Sequence, residues 1–185
     1  MKRLFIAFKL PSEIGTQLET FLEPYKSHAA LQNAKWVGAE KMHVTALFLG
    51  EVPDTRLPEI RELTRGVCGR MQRFQLDHPH VTLYPNKNRA KMLWLRYTKS
   101  LPFEEFASEL KRYLLLILPK LEENEEELLP HATLARLKSS IDPKTLSFQS
   151  IALSALPVTE ATLFESVLTP EGSTYQEIET FPYGF

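Results

Sequence analysis

The sequence predicts an α+β domain of two similar lobes, built on sheets that are at least partly antiparallel. Three observations carry this. Candidate elements run strand, helix, strand and extra strands, and then repeat roughly that order. The tripeptide His-x-Thr occurs at 43–45, 80–82 and 131–133, and its first and last copies stand 88 residues apart, about half the chain. No linker rich in Gly, Ser or Pro divides the 185 residues, so a single domain over 1–185 is expected.

Each element has a local reason. "RLFIAFKL" is apolar and β-prone and reads as a strand. Ile14, Leu18, Phe21 and Leu22 then fall at helical spacing, with Pro11 and Ser12 at the start and Pro24 near the end. A short extended piece at Trp36–Val37 and a turn lead into a strand through Leu49. Leu57, Ile60, Leu63 and Val67 mark a second helix. "FQLDHPHVTLYP" and "KMLWLRYT" read as two strands joined by the polar "NKNRA". Phe103, Phe106, Leu110 and Tyr113–Leu114 form the buried side of a third helix over "PFEEFASELKRYLLLIL". "PHATLARL" is a strand, and two more flank a turn at Pro170–Glu171–Gly172.

Composition excludes several classes. Hydrophobic residues make up 43% and charged residues 24%, the balance of a soluble globular chain with a full core. No apolar run approaches the ~20 residues of a membrane span. The opening "MKRLFIAFKL" has too short an apolar stretch for a secretory leader, ending at Lys9, and reads as a strand. Cys68 is the one cysteine, so no intrachain disulfide can form, which fits a cytoplasmic protein. A net charge of −1 does not suit a protein that grips long nucleic acid by its phosphates. An RNA partner would be held at one end, by a local site. The acidic "EENEEE" at 122–127 reads as a surface loop.

Residues i and i+2 of a strand share a face, so each His-x-Thr sets an imidazole beside a hydroxyl. Two copies on different strands could enclose a small anion. The hydroxyls would donate to its oxygens, while the imidazoles, with an ordinary pKa of ~6.5, exchange protons. Symmetry selects 43–45 and 131–133, whose contexts match: "HVTALF" and "HATLAR". The copy at 80–82 follows "LDHP", stops at Pro85 and is set aside. His78 and His80 form "HPH" without supporting Cys or acidic residues, a weak metal pattern, and His28 reads as a surface residue. The plain alternative for any one strand histidine is a hydrogen-bonded core or edge residue.

"RLFIAFKLP", "WVGAEKMHVTALFLGEV", "MLWL", "PHATLARLK" and "ATLFES…TPEGSTYQEI" resemble, in order, the landmarks of the two-histidine (2H) phosphoesterase superfamily. Its RNA 2′,3′-cyclic phosphodiesterase branch, long called 2′-5′ RNA ligase-like, is the best match. The resemblance runs from about residue 2 to residue 183. It implies a bilobal, pseudo-twofold fold with two antiparallel sheets facing a central cleft and helices packed outside. It implies opening of a 2′,3′-cyclic phosphate at an RNA or nucleotide end, commonly to a 2′-phosphate, without metal or cofactor.

Carried over by motif, His43 and His131 are the catalytic pair, Thr45 and Thr133 hold the phosphate, Arg136 joins them, and Phe48 lies near the base. In-line opening needs a base on one side of phosphorus and an acid on the other, which two facing imidazoles supply. The working assignment makes His43 the acid on the 3′ oxygen and His131 the base on water. The reverse reaction, a 2′-5′ ligation, exchanges these roles. Arg136 and Phe48 each follow their histidine by five residues, where strict alternation turns them away; a bulge or strand end would restore them. Otherwise Arg136 is a surface residue and Phe48 a core one.

The first tail has Leu47 where the family often has a basic residue. Lys87, Arg89 and Lys91 either compensate or belong to a solvated loop. Trp36 and Trp94 read as core or cleft-wall residues. The expected partners are RNA 3′ ends or nucleotides carrying the cyclic phosphate, with no membrane and no metal, and the expected state is a monomer. A binding module that holds the same end without chemistry is the rival function.

Overall fold

A computed structural model of the chain describes residues 1–85, 89–123, 128–169 and 172–184. Ten strands and three long helices follow one another as β1 (Lys2–Lys9), α1 (Ser12–Lys26), β2 (Lys35–Trp36), β3 (His43–Val52), α2 (Leu57–Cys68), β4 (Phe74–Leu76), β5 (His80–Tyr84), β6 (Ala90–Arg96), α3 (Leu101–Leu114), β7 (His131–Ile141), β8 (Leu156–Val158), β9 (Glu160–Thr169) and β10 (Gly172–Pro182). No helix among the described residues is long and apolar enough to cross a membrane.

The fold is α+β, and its paired strands are antiparallel. The expected two antiparallel sheets are present as two arms, β10–β9–β1–β3 and β7–β6–β5, with β2 beside β7. One backbone pair, Val44 with Ala132, joins the arms into a continuous strand order. The arms exchange material, since the C-terminal β9–β10 hairpin lies beside β1, while β2 crosses to β7.

The helices cover one side of this sheet. The α3 helix begins at Ser100, whose hydroxyl accepts the Phe103 amide hydrogen at 3.4 Å. It buries Phe103, Phe106, Ala107, Leu110 and Leu114 at helical spacing. These pack with Leu4, Ile6 and Phe8 of β1, Val44 of β3 and Ala132 of β7 in the main core. The opposite face of the first arm carries its own small cluster of Phe5, Ala7, Phe164 and Tyr175. Covering on both sides explains why Leu4–Phe8 is a continuous apolar run. Cys68 is buried at the end of α2, and burial pushes its thiol up to about 12.

Two elements differ from expectation. The strand expected over 74–85 is broken, because the chain turns at His78, whose φ is 50°, ahead of Pro79. Its first part, β4, pairs with β8 in a separate two-stranded sheet. The third helix stops at Leu114, short of Leu118, whose successor Pro119 disfavours helical backbone before it.

Phe106 is fully buried where α3 meets β1 and Tyr183. Phe106→Ala should cost about 3–5 kcal/mol. Urea unfolding should show this as a lower midpoint at unchanged slope.

Candidate active site

The site is built around the Val44–Ala132 pair. Both side chains are fully buried and point to the helices. Alternation therefore turns their neighbours to the open face. The antiparallel register sets His43 across from Thr133 and Thr45 across from His131. All four are half-buried. Residues directly opposite place their Cβ atoms about 4.5–5.5 Å apart, and diagonal ones, such as His43 and His131, about 7–8 Å apart. That diagonal gap suits a single phosphoryl group between two rings. The Thr45 and Thr133 hydroxyls have no hydrogen-bond partner among the described residues.

Both imidazoles are tethered alike. Nδ1 of His43 lies 2.7 Å from the Lys41 carbonyl oxygen, and Nδ1 of His131 lies 2.7 Å from that of Leu129. A carbonyl only accepts, so Nδ1 carries the donated proton in each ring and Nε2 is left for chemistry. Burial lowers the pKa of both histidines, against the opposing effect of these carbonyl bonds. The charges of His131 and Arg136 lower His43 further, and that of Arg96 lowers His131.

The ring walls differ. Phe5 and Tyr175 stand with centroids 4.9 Å from His43, Tyr175 edge-on, and Phe164 is at 6.1 Å. His131 instead stacks on Trp94 at 3.6 Å, and Tyr84 stacks on Trp94 at 3.5 Å. This row of rings holds the His131 plane.

The two residues at the fifth place after each histidine are restored to the open face by bulges. Between Ile6–Leu47 and Ala7–Thr45 the register of β1 with β3 skips Ala46. Between Leu93–Ala135 and Trp94–Thr133 the register of β6 with β7 skips Leu134. Each extra residue reverses the alternation. Phe48 then lies opposite Phe5, with centroids 5.9 Å apart and 41% of its surface exposed. Arg136 is exposed opposite Met92, with Nη1 3.6 Å from its Sδ. Burial alternates identically over 43–48 and 131–136.

The triplet at 80–82 does not pair with either of the others across a central strand pair. It lies on β5, with Nδ1 of exposed His80 only loosely placed, 3.5 Å from the His78 carbonyl. Among the described residues no three His, Cys, Asp or Glu side chains are grouped to hold a metal ion. His28 is exposed and accepts the Ala30 amide hydrogen at 3.2 Å. Arg89 and Lys91 are exposed, and Lys87 lies outside the described residues. Trp36 is packed against the main core. Sequence reasoning missed Phe5, Phe164 and Tyr175 as walls of His43, and Arg96 beside His131. It left Trp94 between core and cleft wall; the structure makes Trp94 the plate beneath His131.

Known proteins resemble this chain in sequence and in fold. The family model "LigT like Phosphoesterase" matches residues 8–94. An RNA 2′,3′-cyclic phosphodiesterase of Methanocaldococcus jannaschii is 27% identical over 185 residues, covering 96% of this chain and 98% of that protein. One from Thermotoga maritima is 29% identical over 183 residues, covering 94% and 91%. A Thermus thermophilus crystal structure superposes with a TM-score of 0.83 at 24% identity, covering 98% of each chain. E. coli LigT complexed with 3′-AMP gives 0.71 at 23% identity, covering 98% of this chain and 97% of that one. The chain is thus similar to LigT-like phosphoesterases over residues 8–94 and, along nearly its whole length, to proteins named RNA 2′,3′-cyclic phosphodiesterase, and it shares the fold of the solved LigT-like structures.

Proposed function

We propose that this protein hydrolyses 2′,3′-cyclic phosphates at RNA or nucleotide ends, leaving a 2′-phosphate. The observation that carries the reading is the facing pair of His-x-Thr triplets about Val44–Ala132, with both Nδ1 atoms occupied by backbone carbonyls. The names of the curated relatives support the substrate class.

The step balances without a metal-bound water. Nε2 of neutral His131 takes a proton from water as the water oxygen bonds to phosphorus. The bond from phosphorus to the 3′ oxygen breaks, and protonated His43 gives its Nε2 proton to that oxygen. One 2′-phosphate and one 3′-hydroxyl result. Hydroxyls of Thr45 and Thr133 donate to the non-bridging oxygens, and the Arg136 guanidinium offsets their charge. Phe48, exposed on the same face, offers its ring to the base. With the 5′-hydroxyl of a second RNA end in place of water, the same residues would open the cyclic phosphate to a 2′-5′ linkage, the 3′ oxygen again leaving with the His43 proton. We infer that the enzyme acts as a monomer. We place it in the cytoplasm, where RNA ends and a free thiol are both at home.

Burial favours neutral imidazoles in the empty site, whereas a phosphate between them favours the protonated acid. The sign for stability follows. Both folded values are lowered, so the histidines contribute fully above the unfolded pKa of ~6.5. That contribution is lost as pH falls through the folded values. NMR titration of the free protein should place both midpoints below ~6.5, and added inorganic phosphate should raise at least one. His43→Ala and His131→Ala should each lower turnover of adenosine 2′,3′-cyclic phosphate by roughly 10²–10⁴-fold. A double variant as active as the parent would end the proposal. Thr45→Val or Thr133→Val should lower kcat/KM by about 10–100-fold, the weight of one charge-assisted hydrogen bond. Activity should persist in EDTA. Tight binding of the cyclic nucleotide with no product formed would favour the binding module instead.

A further inference from the structure

The open face does not end at His131. Register carries it across two more strands. His131 lies opposite Arg96, which lies opposite His80; Thr133 lies opposite Trp94, which lies opposite Thr82. The unused third triplet therefore shares a face with the second, two strand spacings or about 9.6 Å away. Arg96 stands in the middle of this row.

Arg96 is half-buried, and its guanidinium has no ion pair or hydrogen bond among the described residues. Four other arginines are matched to carboxylates, Arg56 with Glu59, Arg61 and Arg65 with Glu179, and Arg112 with Glu109, whereas Arg3, Arg73, Arg89 and Arg136, which lack one among the described residues, are exposed to solvent. A half-buried guanidinium without a carboxylate suits an incoming anion. Its charge reaches His131. Among the described residues the other arm offers no half-buried equivalent, since Arg3 of β1 is exposed, opposite Glu51. The open face of that arm is aromatic around His43, and Lys9 is already paired with Glu177 at 3.0 Å.

We propose that Arg96, with His80 beyond it, binds the phosphate on the 5′ side of the terminal nucleoside. The preferred substrate is then the end of an RNA chain, whose strand leaves over β6 and β5, in place of a free nucleoside cyclic phosphate. This rests on the hydrolytic reading above and adds the direction in which the substrate runs. An edge-strand triplet with no facing imidazole cannot catalyse in-line opening, but its ring and hydroxyl can continue a phosphate track. His80 is exposed and its Nδ1 is only loosely engaged, at 3.5 Å, so it is available to a ligand.

The test compares adenosine 2′,3′-cyclic phosphate, the same nucleotide with a 5′-phosphate, and a dinucleotide with the same cyclic end. In the parent protein the 5′-phosphate should raise kcat/KM by about tenfold, the order expected of one charge-assisted contact. The dinucleotide should gain at least as much. Arg96→Gln should bring the ratio of phosphorylated to unphosphorylated substrate close to one, Arg96→Lys should retain part of it, and His80→Ala should reduce it less. No gain in the parent, or a gain that survives Arg96→Gln, overturns the proposal. Affinities for adenosine 2′-phosphate and adenosine 2′,5′-bisphosphate, measured by calorimetry, read the same subsite without turnover. If no substrate is turned over, the hydrolytic reading falls. The subsite then stands if the bisphosphate binds about tenfold tighter through Arg96, and falls if the two bind alike.

Discussion

A single backbone contact, Val44 with Ala132, fixes the relation between the two arms of the sheet. Both residues are fully buried, so the helical core holds them in place. Because side chains alternate along a strand, this one register determines that His43, Thr45, His131 and Thr133 emerge together on the other side. A slip of one residue in either strand would send that strand's histidine and threonine into the core and bring Val or Ala outward. That alternative buries imidazoles and exposes apolar surface, so the force that packs the core also enforces the site. Fold stability and site geometry thus share one cause.

Two bulges extend the site beyond what alternation allows. Ala46 and Leu134 are each buried next to another buried residue, Leu47 and Ala135. Each strand therefore contributes two consecutive residues to the core, and its next residue swings outward. Local twist increases at a bulge, which suits strands that meet at one pair and then diverge. Phe48 and Arg136 occupy equivalent places after this step but differ in chemistry. One arm ends in an aromatic ring and the other in a cation. Aromatic rings flank both histidines, Phe5, Phe164 and Tyr175 around His43 and Trp94 with Tyr84 beside His131, while Arg96 joins Arg136 on the His131 arm alone. An asymmetric ligand, with a base and a charged backbone, matches that division.

The period of two made the histidine–threonine pairs legible in the sequence, and matched flanks singled out 43–45 and 131–133. Helical spacing revealed all three long helices. Bulges depend on the neighbouring strand, so nothing in "HVTALF" or "HATLAR" alone could say that the fifth residue returns to the face. The exchange of β2 and the β9–β10 hairpin between arms is likewise a tertiary fact, and it hid Tyr175 and Phe164 from a reading that kept each half of the chain to itself. Trp94 had a visible signal, an indole in a strand next to Leu93 and Leu95, but its stacking partner became clear only with the register of β6 against β7. The third triplet lies on the edge strand β5, away from the Val44–Ala132 pair. Its place on the same face as His131 was invisible without strand order.

The most direct test is a crystal structure with adenosine 2′-phosphate bound. Nε2 of His43 and Nε2 of His131 should both lie within about 2.6–3.2 Å of oxygens on one phosphate, with the Thr45 and Thr133 hydroxyls donating to it. A phosphate held by one histidine alone, or seated away from the Val44–Ala132 pair, would contradict the account.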